Sequence, residues 1–170
     1  MSSSLPSSTV TKASTAIPPL LRILLLYLEP LFAFSGALLV LFNPGHYVST
    51  MSRAAVTSTS LDPRTTFIYT ELAGGWLHFA FTEAVVLRCV DDVRVWRLLC
   101  AGMLLSDLAY CHSCAQAIGG WGVWVDVARW TTDEWVAAVT TWPFVLARCA
   151  IVSGLALRRG SGGSVKGAKQ

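Results

Sequence analysis

Four ionisable side chains, Glu29, His78, Asp107 and Arg148, each stand inside an otherwise apolar stretch of this 170-residue chain. Such a group costs on the order of 2.5–3.5 kcal/mol at the centre of a bilayer on insertion scales, so the four are expected to face one another rather than lipid. A guanidinium is always charged, so Arg148 neutralises one of the two acids. The other acid, desolvated and short of a counter-charge, is expected to keep its proton, and His78 is open to either state. The chemistry this allows is proton donation inside a water-poor pocket, with Arg148 holding the conjugate base.

The elements that must position these groups are helices in lipid. The chain is 54% hydrophobic and 14% charged, against roughly 25% charged in an average soluble domain, and a soluble fold this small has too little interior to hide so much apolar surface. Four stretches, 20–42, 67–87, 98–118 and 135–157, each match the ~30 Å hydrocarbon layer at about 1.5 Å per residue. The expected fold class is therefore all-α: a polytopic membrane protein with four transmembrane helices over residues 20–157. A disordered Ser/Thr-rich tail is expected over residues 1–19, too poor in basic charge for a signal peptide, and a flexible basic tail over residues 158–170. Glu29 and Asp107 are each the tenth residue of their segment, and His78 and Arg148 each lie ten residues from the matching end of theirs. All four would then stand about 14 Å into the membrane.

Charge sets the expected orientation. Lys12, Arg22, Arg88, Arg94, Arg97, Arg158, Arg159, Lys166 and Lys169 fall on the side shared by both termini, and Arg53, Arg64 and Arg129 on the other. By the positive-inside rule both termini are cytosolic, and Trp121, Trp124, Trp130 and Trp135 form an interfacial belt on the far face. The partner implied throughout is the lipid bilayer. The net charge of +3 and the lack of any basic stripe or zinc-finger pattern argue against nucleic acid.

Other groups rank behind these. Glu71 shares a helix face with His78, and Gly74 and Gly75 between them permit close helix approach or a slot for a ligand. Glu83 lies five residues before Arg88, where it would pair, snorkel to the surface or relay protons from the cytosolic side. His112 points away from Asp107. The stretch Cys111-His112-Ser113-Cys114 has the outline of a metal motif but no second cysteine pair at zinc spacing, so no metal is expected. No phosphate loop, nucleophile elbow or dinucleotide fingerprint is present, and no cofactor is expected. The five cysteines read as small reduced hydrophobes.

The segments "LYLEPLFAFSGAL", "FAFTEAVVLR" and "VWRLLCAGMLLSDLAYCHS", followed by "RW", resemble a family of small fungal four-helix membrane proteins known only as a domain of unknown function. The resemblance covers Leu20 to Gly154 in order. It carries over to Glu29, Pro30, Glu83, Arg88, Trp96, Asp107, Trp130 and Arg148. Tyr110 departs from it, standing where the family has histidine, and Glu71 and His78 match no charged family position. The resemblance thus supports Glu29, Asp107 and Arg148, raises Glu83 in rank and withdraws support from His78. It implies fungal origin and a membrane location, with an endomembrane such as the endoplasmic reticulum expected.

Two functional expectations follow. In the first, the protein serves a fungal secondary-metabolite pathway as a cyclase or isomerase of a lipophilic terpenoid or polyketide intermediate, with Glu29, Asp107, Arg148 and Glu83 as catalytic residues and Phe34, Trp76 and Phe79 lining the cavity. The analogy is with fungal membrane cyclases that use intramembrane acids, which are larger and have more crossings. In the second, it is a non-catalytic assembly partner of pathway enzymes, or a small carrier acting as a homo-oligomer.

Overall fold

The computed structural model describes residues 10–56 and 61–158, and these contain helices and turns with no strand. A four-residue helix α1, Ala13–Ala16, precedes the long helix α2, Pro19–Phe42. Helix α3, Pro44–Met51, follows after Asn43, whose side chain caps it by accepting from the His46 N–H at 3.2 Å. Helix α4 occupies residues 66–89 without interruption, and α5 is Val93–Ala117. After the short α6, Trp121–Trp124, the chain closes with α7, Thr132–Val139, and α8, Trp142–Ser153.

Among the described residues three stretches are long and apolar enough to cross a membrane: α2, α5 and the α7–α8 pair over Thr132–Ser153. This fits an integral membrane protein and corrects the expectation of four such helices. Helix α4 is as long as the others but does not reach their hydropathy, because Glu71, His78 and Glu83 all lie in it. The expected ends shift as well. Helix α5 begins at Val93, capped by Asp92 accepting from the Arg94 N–H at 2.7 Å, rather than at Leu98. The fourth stretch breaks at Thr140 and Thr141, just before Pro143, and stops at Gly154, whose positive φ of 81° suits a residue without a β-carbon.

Two packing regions hold these helices. In one, Leu25 and Leu26 of α2, Leu87 of α4, Trp96, Cys100 and Met103 of α5, and Phe144, Ala147 and Ile151 of α8 are buried together. In the other, Ala37 and Val40 of α2 meet Ala73 of α4 beneath Tyr47 and Trp76. The close approach of α2 and α4 depends on Gly36, where a β-carbon would lie 2.3 Å from the Trp76 ring. Gly74 and Gly75, expected to serve that purpose, have open space beside them instead.

The start of the chain differs from the expected tail. Residues 1–9 lie outside the described residues, but Ala13, Ala16 and Ile17 are buried in the first packing region. Ser14 donates its backbone N–H and its hydroxyl to Asp91 at 2.6 and 2.8 Å, and Val93 donates to the Thr11 carbonyl at 3.0 Å. The Arg158 N–H donates to the Ala16 carbonyl at 2.8 Å. The first described residues, the α4–α5 turn and the end of α8 therefore share one end of the molecule. The basic tail expected from residue 158 lies, beyond Arg158, outside the described residues.

Candidate functional site

Pro30 shapes the site from within α2. In a regular helix the Leu26 carbonyl would accept from residue 30, but proline has no N–H to give. The helix answers with a π turn, Leu24–Leu28, immediately before Glu29, and the Arg88 guanidinium of α4 donates to the Leu26 carbonyl at 2.6 Å. Arg88 also lies over the Tyr27 ring, 4.3 Å from its centre. Helix α4 has its own π turn, Thr82–Val86, around Glu83. Such turns insert a residue and swing the next side chain onto a new face, and they recur at functional sites. Here the two π turns pack against each other and bring both glutamates to one point.

That point is the guanidinium of Arg148. Its Nη2 donates to Glu29 Oε1 at 2.5 Å and to Glu83 Oε1 at 2.7 Å, and its Nη1 donates to Asp107 Oδ2 at 2.6 Å. Arg148 and Glu83 are completely buried, and the Phe79 ring stands 5.5 Å from the guanidinium carbon. Glu29, Glu83, Asp107 and Arg148 come from α2, α4, α5 and α8, so one cluster ties all four helices together. Three carboxyls share one positive charge, and the cluster is neutral only with two protons on them. Buried ions without compensation cost several kcal/mol each.

The structure joins Glu29, Glu83, Asp107 and Arg148, the residues that the resemblance supports or raises in rank, and leaves out His78, which position along the segment places with them. His78 and Glu71 are exposed on α4 and take no part. Depth counting chose the wrong residue because it placed the end of the second segment at Leu87 and assumed regular helix, whereas α4 reaches Cys89 through a π turn. Glu83 bonds Arg148 and is completely buried, so it neither pairs with Arg88 nor reaches the surface. The sequence signal for Glu83 is its place five residues ahead of Arg88, and the two serve different neighbours of α4: Glu83 bonds Arg148 of α8 and Arg88 bonds Leu26 of α2.

Beside the cluster is a cavity of about 210 Å³ lined by Glu29, Phe32, Ala33, Gly36, Trp76, Phe79, Ser106, Asp107, Tyr110, Thr140 and Thr141. The side chains of Glu29 and Asp107 keep 12% and 13% of their surface open, whereas Glu83 has none. Two acids therefore face the cavity and the third lies behind them. Trp76 and Phe79 line it as expected, but Phe32 takes the place given to Phe34, which is exposed.

Away from this cluster, the His112 Nδ1 accepts from the Trp121 indole at 3.1 Å and its ring stacks on that indole, so it does not join Cys111 and Cys114. The tryptophans expected as a belt touch one another in a chain, Trp121 to Trp124 to Trp130 to Trp135, with Trp142 against Trp124.

Comparison with known proteins adds a family and no activity. The chain belongs to the DUF7704 family, described as a domain of unknown function, whose model matches residues 14–158. No curated protein and no solved structure matches it.

Proposed function

We propose that this protein is a multi-pass membrane enzyme that protonates a lipophilic intermediate in the cavity beside Arg148, acting as a cyclase or isomerase. The observation that carries this reading is that Glu29 and Asp107, both bonded to Arg148, also face a cavity walled by Phe32, Trp76 and Phe79. Asp107 or Glu29, holding a proton, gives it to an epoxide oxygen or an alkene carbon. The carboxyl O–H bond breaks, its electron pair stays on the carboxylate, which keeps its bond to the Arg148 guanidinium, and the positive charge formed on the substrate beside it offsets the added negative charge. The carbocation then formed meets aromatic faces, which favour positive charge. Ring closure moves the positive charge along the substrate, and return of a proton from the cationic product to the carboxylate ends the turnover and restores the acid. Glu83 is assigned the role of holding Arg148 in place.

The wider setting belongs to the same proposal. Helix α4 lies in the membrane as a fourth crossing, its hydrophilic Glu83 shielded on Arg148. The end carrying Lys12, Arg22, Arg88, Arg94, Arg97 and Arg158 faces the cytosol, with both termini, by the positive-inside rule. An endomembrane such as the endoplasmic reticulum and a fungal secondary-metabolite pathway, with a terpenoid or polyketide substrate, fit this reading.

One observation favours a second reading. A guanidinium with three carboxyls that joins four helices is also a device for locking a bundle, and interhelical polar contacts stabilise membrane proteins by roughly 0.6–2 kcal/mol each. The protein would then be an assembly partner for pathway enzymes, or a homo-oligomeric carrier. The test compares metabolites extracted from the host with wild-type protein, with the gene deleted, and with Asp107→Asn. The enzyme reading expects deletion and Asp107→Asn to accumulate the same precursor while the variant remains in the membrane. A deletion phenotype that Asp107→Asn does not share would assign the cluster a structural role.

A further inference from the structure

The protons that the acid cluster holds must first reach it, and Glu83 is completely buried. A second cavity, of about 60 Å³, lies on the tryptophan side, between α5 and α7. Tyr110 and Thr141 line both cavities, so these two side chains form the wall between them. Asp133 and Glu134 line the second cavity at the start of α7. Glu134 is occupied, accepting from Arg53 at 2.8 Å and from the Thr131 N–H at 2.7 Å, whereas Asp133 is exposed. A space of this size has room for about two waters at a liquid share of ~30 Å³ each, and hydroxyls and carboxylates supply their partners. Along α5, Asp107 and Tyr110 are three residues apart and share a helix face.

We propose that protons reach the acid cluster from the tryptophan-rich end, collected at Asp133 and passed to Asp107 through the Tyr110 hydroxyl. Each hop conserves charge and atoms. The Tyr110 hydroxyl, which donates to Met51 Sδ at 4.0 Å on the outer cavity, turns to the acid cavity. Protonated Asp133 gives its proton to water as that water gives one to the Tyr110 oxygen. The original Tyr110 O–H bond breaks, and Asp107 becomes the acid while Asp133 becomes the carboxylate. Thr141 stands as the second hydroxyl of the wall. The inference rests on reading the cluster as a proton donor, but its test needs no substrate.

Purified protein in lipid vesicles is transferred to deuterated buffer, and the carbonyl stretch of protonated carboxyl groups is followed by infrared spectroscopy. Loss of part of that band in Asp107→Asn assigns it to the cluster. Tyr110→Phe removes one oxygen and is expected to keep the band while slowing its deuteration on the order of 100-fold, the low end of what a positioned proton-transfer group contributes. Ser35→Ala, exposed on α2 and lining neither cavity, is expected to exchange at the wild-type rate. Wild-type exchange in Tyr110→Phe would overturn the route, as would equal slowing in Ser35→Ala or a wild-type spectrum with no protonated carboxyl band. If Tyr110→Phe is poorly folded, Thr141→Val is the alternative change to the wall, and wild-type exchange in it together with unaltered Asp133→Asn kinetics would overturn the route. Failure of the route leaves the metabolite phenotype of Asp107→Asn untouched, so the two readings fail separately.

Discussion

At the scale of residues, the protein turns on one arginine serving three acids. Lysine keeps the charge at this position but presents a single ammonium in place of a planar fork. Arg148→Lys is therefore expected to strand at least one carboxyl and to destabilise the protein by about 3–5 kcal/mol, the usual cost of breaking a buried ion pair. A thermal midpoint in detergent well below wild type checks this, and a near-wild-type midpoint would mean that the fork is dispensable. Glu29, Asp107 and Arg148 were legible in the sequence because charge inside apolar stretches has few tolerable arrangements. Glu83 is singled out by the resemblance and not by position along the segment, which favours His78. Both lie on α4, and only the π turn decides which of them faces inward.

At the scale of elements, the two π turns and Pro30 explain why the acids converge. The proline was visible in the sequence, but the bond that compensates for it was not, because Arg88 reaches the Leu26 carbonyl from a helix 62 residues away. Arg88→Met is expected to leave that carbonyl unpaired and to cost about 1–3 kcal/mol. In a Pro30→Ala background residue 30 regains its N–H, so the same change should cost measurably less. Thermal unfolding of the four proteins of this cycle provides the check, and equal costs in both backgrounds would separate Arg88 from Pro30. Nothing in the sequence marks Gly36 above Gly74 and Gly75, on a similar ground. Close packing depends on what stands opposite, here Trp76, and spacing within one helix does not reveal that.

At the scale of the whole molecule, the apolar composition was enough to read an all-helical chain with membrane-length segments. It misjudged α4, whose polar residues serve the cluster and the outer face, and it left residues 13–17 in a tail. Short runs such as Ala13–Ala16 have no pattern of their own, and only the clasp with Asp91 fixes them. Hydrogen bonds from the Ser14 backbone and hydroxyl, with lesser help from Lys12 and Arg22, hold the Asp91 carboxyl below its ordinary value. A carboxyl lowered in this way stabilises the folded form above the ordinary aspartate range and stops doing so as pH falls through its lowered value. Amide exchange in residues 13–17, corrected for intrinsic rates, should be equally protected at pH 7 and 5 and lose protection only at pH below the usual aspartate value of about 3.9. Asp91→Asn should open the same segment at neutral pH. Protection that ignores both changes would show that apolar packing alone docks it.

The central claim is that protonated acids face a lipophilic cavity while their counter-acid lies behind them. A hydrophobic carbodiimide, which adds to protonated carboxyls in apolar surroundings, tests it directly when adducts on the membrane-embedded protein are mapped by mass spectrometry. The account predicts adducts on Asp107 or Glu29 and none on Glu83. Labelling confined to Glu71 and other exposed acids, with Asp107 and Glu29 unmodified, would contradict it.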